Sequence, residues 1–207
     1  MKIIVLDTET LGVFDPSVYD LGYVIYDSEV DGIVKARDYI TSEIFDDESK
    51  MKTAYYANKL PIYHQRLADG YCKKTKWSYI LRVFKRDINK FKPDGIFAYN
   101  SRFDTRAIAK TCEGLGVKTN PTADGIKDIW KGLTDPHITG TREYQEFCKR
   151  NGFMTKHKKP RPQAKAETVY RFLMNQTDYI EEHTALEDSK IELAILLKAL
   201  TLSGLTA

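Results

Sequence analysis

The stretch Lys2 to Gly12, KIIVLDTETLG, constrains the chain more than any other. Ile3, Ile4, Val5 and Leu6 form an apolar, partly β-branched run of the length expected for a strand buried on both faces. Asp7 and Glu9 stand where that run ends. Side chains two apart on an extended strand point the same way, so the two carboxylates project together from one edge of the core. Like charges so close raise each other's pKa and lose hydration unless a cation lies between them. A divalent metal is the natural resolution, because hard oxygen ligands suit Mg²⁺ or Mn²⁺. Alternatively, Asp7 simply ends a strand and Glu9 is a solvated neighbour; this stretch alone leaves both readings open.

Turn residues follow from Gly12 to Pro16, and Leu21 to Tyr26 resumes a β-rich pattern. Asp31-Gly32 is a strong turn signal, and Ile33 to Ile40 returns as an antiparallel strand, which predicts a three-stranded meander starting with the acidic strand. Between Thr41 and Gly70 come acids at Asp46, Asp47 and Glu48 and tyrosines at Tyr55, Tyr56 and Tyr63, around Pro61. This segment reads as helical pieces broken at Pro61, forming a peripheral insertion near 41–70 whose tyrosines either stack on bases or pack against the body. Trp77, Ile80, Leu81, Phe84, Ile88 and Phe91 recur at helical spacing, and Pro93-Asp94-Gly95 ends that helix. A short buried strand over Ile96 to Tyr99, a helix carrying Ala107, Ile108 and Cys112, and a last strand over Ile126 to Trp130 imply parallel pairing in this half. Further helices are predicted at Arg142 to Asn151, Glu167 to Asn175 and Ala185 to Leu202. The expected fold is α/β, one domain over residues 1–207. Its mixed sheet of about five strands is antiparallel on one side, parallel on the other, and flanked by helices.

An apolar fraction of 42% with 12% aromatics argues against disorder. Cys72, Cys112 and Cys148 are odd in number and show no CxxC spacing, so neither a disulfide framework nor a zinc site is indicated, and a reducing cytosol is expected. No apolar run approaches membrane-spanning length and no charged leader opens the chain, so a soluble, cytoplasmic protein without a membrane partner is expected. The formal charge of +3 is too small to establish a nucleic-acid partner, but its distribution is uneven. Lys149, Arg150, Lys156, Lys158, Lys159, Arg161 and Lys165 fall in a loop near 149–165 containing Gly152, Pro160 and Pro162. Such a loop either attracts a phosphate backbone or is ordinary solvated surface.

Acids also occur where a strand or turn meets a helix at Asp104 and Asp188. If the Ile96 to Tyr99 strand runs parallel to the first and beside it, Asp104 lands near the same sheet end as Asp7 and Glu9. Each acid has a plain structural account, Asp104 as an N-cap and Asp188 as a favourable acid in a first helical turn. His183 precedes Asp188 by five positions, an offset that on one helix turns the side chains roughly 140° apart. The two serve one site only if His183 lies on the lead-in to the helix.

Asp7-Thr-Glu-Thr-Leu-Gly12, Asn100-Ser-Arg-Phe-Asp104 and His183-Thr-Ala-Leu-Glu-Asp188 resemble the three exonuclease motifs of the DEDDh family within the ribonuclease H-like superfamily. That family includes the proofreading subunit of bacterial DNA polymerase III, ribonuclease T, oligoribonuclease and the TREX exonucleases. Each motif is weak alone, whereas three in order in their expected strand and helix contexts make a specific signal. The five-residue step from histidine to aspartate resembles the DEDDh branch rather than the one that uses tyrosine. Neither the 41–70 segment nor the basic loop matches a family feature, which leaves substrate preference open.

The resemblance implies that Asp7, Glu9, Asp104 and Asp188 hold two Mg²⁺ or Mn²⁺ ions, with His183 as general base. It implies a nucleoside 5′-monophosphate product released from a 3′ terminus. Thr8 and Thr10 match positions facing the terminal nucleotide, Leu11 a wedge beside the last base, and Phe103 a stacking partner. Core packing is the rival role for Leu11 and Phe103, and a capping or turn role for Asn100. The expected function is a metal-dependent 3′-5′ exonuclease on single-stranded or frayed DNA. The alternatives are the same chemistry on RNA or short oligonucleotides, and a binding module on this fold without turnover. The partner implied is a nucleic-acid 3′ terminus, DNA favoured over RNA. A DNA polymerase or replication complex and a homodimer are further associations known among relatives.

Overall fold

The computed structural model describes residues 1–204, and its organising element is β1 (Lys2–Thr10). β2 (Val18–Asp27) pairs antiparallel with β1, and β3 (Gly32–Thr41) pairs antiparallel with β2, the meander expected from the Asp31-Gly32 turn. After β3 the chain forms three short helices, α1 (Ser42–Phe45), α2 (Glu48–Thr53) and α3 (Leu60–Ala68), then β4 (Lys73–Thr75) and α4 (Trp77–Phe91). β5 (Gly95–Ala98) lies parallel to β1 with Ile4 opposite Ile96, and leads into α5 (Arg102–Gly114). β6 (Lys127–Asp128), a wide π-type helix over Trp130–Thr139, α6 (Arg142–Asn151), α7 (Ala166–Met174) and α8 (Ala185–Leu202) complete the chain. The sheet order is β4-β3-β2-β1-β5-β6.

β1 is central, and its alternation sorts the core into two layers. Ile3 and Val5 pack with Leu186, Ile195 and Leu196 of α8, while Ile4 and Leu6 pack with Trp77 and Phe84 of α4 and Ala107 and Ile108 of α5. A buried aliphatic side chain of this kind contributes about 1.5–3 kcal/mol. The same alternation continues past the apolar run, so Asp7 and Glu9 lie on the α8 face.

β2 shapes that face. Gly22 is opposite Asp7, and a Cβ there would lie only 2.1 Å from the Leu186 nitrogen and 2.2 Å from the Ala185 carbonyl carbon. Only a bare backbone lets α8 begin directly on the sheet. Two residues earlier, Oδ2 of buried Asp20 accepts the Ala185 N–H at 2.9 Å, satisfying one of the otherwise unpaired donors at the helix start.

Three expectations need correction. They leave the expected mixed sheet intact, which has six strands, polar β4 carrying no hydrophobic alternation to reveal it. The strand expected over Ile126 to Trp130 is confined to Lys127–Asp128: the Asp128 carboxylate accepts the Lys131 N–H at 2.9 Å and starts a helix in place of more ladder. Pro61 opens α3 rather than breaking a helix, since a first-turn proline loses no intrahelical hydrogen bond. The 41–70 segment is also more than peripheral. Tyr63 is 1% exposed, meets Tyr19 edge to face at 5.5 Å, and donates to Asp20 Oδ2 at 3.0 Å. Among the described residues, no helix is long and apolar enough to cross a membrane, and all three cysteines are buried free thiols.

Candidate active site

A cleft of about 700 Å³ opens where β1 and β5 end, and Asp7, Glu9, Asp104, His183 and Asp188 all line it. Asp7 and Glu9 arrive from consecutive same-face positions of β1. Asp104 sits in the first turn of α5, after Ser101 rather than at the cap, where the Thr8 hydroxyl donates to its Oδ1 at 2.8 Å. Asp188 occupies the first turn of α8, and His183 lies just ahead of that helix, on the lead-in the five-residue step requires. Glu9, His183 and Asp188 each offer a ligand atom within 4.8 Å of the other two. His183 Nδ1 is 3.5 Å from Glu181 Oε2 and 4.0 Å from Asp188 Oδ2.

Like charge is concentrated here beyond what water can relieve. Burial, followed by the charges of Glu192, Asp104, Asp188 and Glu9, pushes the Asp7 carboxyl well above its ordinary range. Glu9 is raised by burial and then by Asp188. Burial lifts Asp104 to about 7 against the opposing Thr8 hydrogen bond, and burial with Glu181 lifts Asp188 to about 9. Asp188 Oδ1 is buried without a hydrogen-bond partner. Crowded carboxylates and an orphaned oxygen suit a hard divalent cation such as Mg²⁺ or Mn²⁺, so the donor set fits the metals the motifs imply.

His183 is held from several sides. Its φ of +55° places it in the left-handed region, which turns the chain into α8. Tyr56 stacks on the imidazole at 4.5 Å between centroids and 18° between planes, and the Tyr63 hydroxyl, shared between Asp20 Oδ2 and the His183 carbonyl, reaches the latter at 3.3 Å. Burial, then Lys59, lowers the imidazole pKa from 6.5, which favours the neutral, proton-accepting form at neutral pH.

The other residues singled out in the sequence divide. Thr8, Asn100 and Phe103 line the cleft; Asn100 adopts φ +61° at the turn between β5 and α5. Thr10 faces a side pocket of about 230 Å³ beside Glu9, also walled by Gly12, Tyr55, Tyr56 and Phe103. Leu11 is 8% exposed and packs with Tyr19, Ile44 and Tyr63 in the core, away from the cleft.

Sequence reasoning missed several neighbours. Glu192 is 4% exposed, lines the cleft and accepts the Tyr99 N–H at 3.0 Å; its position four residues after Asp188 on one helix face was a usable signal. Glu181, raised to about 7 by burial and then Glu167, stood beside His183 in the sequence. Tyr56 and Tyr63 carried no local signal for their contacts with a histidine so far along the chain.

Neither a protein-family model nor a curated protein matches the sequence. Solved structures do match. The nuclease domain of 3′hExo, a DEDDh family member bound to rAMP, superposes with a TM-score of 0.59 at 13% identity, over 100% of this chain and 94% of that one. A full-length 3′-exonuclease gives 0.57 at 13% identity, and a 3′-exonuclease recognising the 3′ end of a histone mRNA stem-loop gives 0.57 at 12%. This chain is covered over 98% in both, and spans 61% and 64% of those longer chains. The chain therefore shares the mixed α/β fold of the 3′hExo nuclease domain.

Proposed function

We propose that this protein is a metal-dependent 3′-5′ exonuclease that removes nucleoside 5′-monophosphates from single-stranded or frayed ends. One observation carries the reading: Asp7 and Glu9, Asp104 and Asp188, from three distant stretches of the chain, meet in one cleft beside the His183 imidazole. These four carboxylates would hold two Mg²⁺ or Mn²⁺ ions, with Glu192 next to them. Held there, such ions would supply Lewis-acid charge neutralisation at the scissile phosphodiester.

The chain's own residues carry the other roles. His183 accepts the proton of the attacking water, Tyr56 fixes the imidazole plane, and the Glu181 and Asp188 carboxylates beside Nδ1 favour the imidazolium that forms. The Thr8 hydroxyl holds the Asp104 carboxylate in one orientation. The side pocket walled by Thr10, Tyr56 and Phe103 receives the last base, and the Arg106 guanidinium backs the Phe103 ring at 5.6 Å. A base seated there must be unpaired, which makes duplex interiors poor substrates.

DNA is the first substrate to test. RNA is the second reading, favoured by the solved structures that bind rAMP and a histone mRNA stem-loop. Incubation of matched 5′-labelled DNA and RNA strands with Mg²⁺ is expected to give a shortening ladder and free 5′-monophosphates. Asp7→Ala is expected to lose this activity, and His183→Ala to lower kcat on the order of 10²- to 10⁴-fold. Equal degradation by wild type and Asp7→Ala, or none by either, would overturn the proposal.

A further inference from the structure

The basic loop that the motifs leave unexplained is a short hairpin on the rim of the cleft. After α6, Gly152 turns the chain at φ +76°, and Met154 bridges antiparallel to Pro162. The Thr155 N–H donates to the Arg161 carbonyl at 2.8 Å, and the Arg161 N–H donates to the Thr155 hydroxyl at 3.0 Å. The base is tied to the body: the Tyr99 hydroxyl donates to the Ala164 carbonyl at 2.8 Å, and Tyr144 to the Gln163 carbonyl. Phe153 is wedged between Phe147 and the Arg171 guanidinium, 5.6 and 4.8 Å from its ring. Pro160 and Pro162 fix two further φ angles. The cations are thus carried on an anchored support.

Their placement is one-sided. Residues 149–166 contain no Asp or Glu. Thr155, His157, Arg161 and Lys165 line the cleft that holds the acidic cluster, while Lys156, Lys158 and Lys159 are exposed at the tip. Among the described residues, none of Lys156, Lys158, Lys159, Arg161 and Lys165 lies within 4.0 Å of a carboxylate, so no ion pair neutralises the row. An ordinary solvated surface mixes both signs. A small anion would call for convergent, buried donors; a row of exposed lysines running outward from a cleft suits an extended polyanion.

We propose that the hairpin Met154–Pro162 is a docking rail for the phosphate backbone of a single strand, engaging nucleotides upstream of the end that is cut. For the position of that end it rests on the nuclease reading above. The rail attracts the strand by counterion release and Coulomb steering, and holds it without contacting the scissile bond.

The test compares wild type with the triple variant Lys156→Ser, Lys158→Ser, Lys159→Ser, all at exposed positions, on a 20-nucleotide strand and a dinucleotide between 50 and 200 mM salt. On the long strand KM is expected to rise on the order of tenfold at low salt with kcat unchanged. The slope of log(kcat/KM) against log[salt] should become shallower by about 2, from three contacts at ~0.7 each. Dinucleotide cleavage should not change. An unaltered salt slope, or equal losses on both substrates, overturns the rail. If wild type cleaves neither substrate, the nuclease reading has failed, and fluorescence anisotropy of the labelled strand decides the rail by itself: weaker, less salt-dependent binding by the triple variant supports it, and identical binding overturns it.

Discussion

On the acidic side of the site, Glu9, Asp104 and Asp188 are buried and Asp7 half-buried, each on a strand or helix that the core holds in place. On the basic side, Arg161 lines the same cleft, and Lys156, Lys158 and Lys159 stand exposed on the hairpin that carries it, which is tied to the body at its base. Negative charge inside the fold is costly: burial and mutual repulsion raise these acids, so the fold holds them at the expense of its own stability until a cation binds. Positive charge on the hairpin is solvated and costs little, but its field reaches a polyanion before contact. The difference teaches that geometry for chemistry is kept where packing is strong, and capture of substrate where it is weak.

The acidic side should therefore fail in a way the basic side cannot. Asp7→Asn is expected to lose nearly all turnover while raising the melting temperature of the metal-free protein at pH 8 by a few degrees, since a chain of this size gains roughly 2–4 °C per kcal/mol. The pH dependence has a definite sign. A carboxyl raised in the folded state binds its proton more tightly there than in the unfolded chain, so the stability it confers is complete below the ordinary value of 3.8. That stability is lost as pH rises through about 7 for Asp104 and about 9 for Asp188. Melts in chelator should fall between pH 5 and pH 9.5, and Mg²⁺ should flatten the fall. The same pH dependence in the Lys156/Lys158/Lys159 triple variant completes the contrast; a flat wild-type profile in chelator breaks it.

Gly22→Ala probes how the acidic side is held. Its Cβ would collide with the α8 backbone at 2.1 Å, so a loss of about 1–3 kcal/mol in urea unfolding is expected, with reduced activity as Asp188 and His183 shift together. Wild-type stability in this variant would show that α8 is not seated on β2 as described. The smallest effect concerns the ring that positions the base. Tyr56→Leu should lower kcat by up to about tenfold, the equivalent of one aromatic stacking contact, with KM little changed. Tyr56→Phe keeps the ring and should stay near wild type, so equal kcat in both variants would remove Tyr56 from the site.

Much of this architecture was legible along the chain. The apolar run before Asp7, the Asp31-Gly32 turn and the helical spacing from Trp77 to Phe91 located the meander and α4, because each signal repeats within a few residues. The three motifs pointed to the five side chains that line the cleft. Tyr56 and Tyr63 escaped because nothing beside them in sequence reflects a partner more than a hundred residues away, whereas Glu192 had a local signal in its helical spacing from Asp188. For Leu11, where a wedge and core packing were both open, the side chain packs against Tyr19 and Tyr63. β4 and β6 were hard to read because short polar strands show no alternation.

Local periodicity sets which face of a strand or helix a side chain occupies, since backbone geometry repeats every two or 3.6 residues whatever surrounds it. That was enough to turn Asp7 and Glu9 together and to place Asp188 in the first turn of the last helix. Only packing could decide that a side-chain-free Gly22 lets α8 reach β1, that Tyr56 from the 41–70 segment covers His183, and that the basic hairpin comes to line the same cleft as the acids. Those juxtapositions depend on which apolar faces find each other, and no repeat within a single element encodes that.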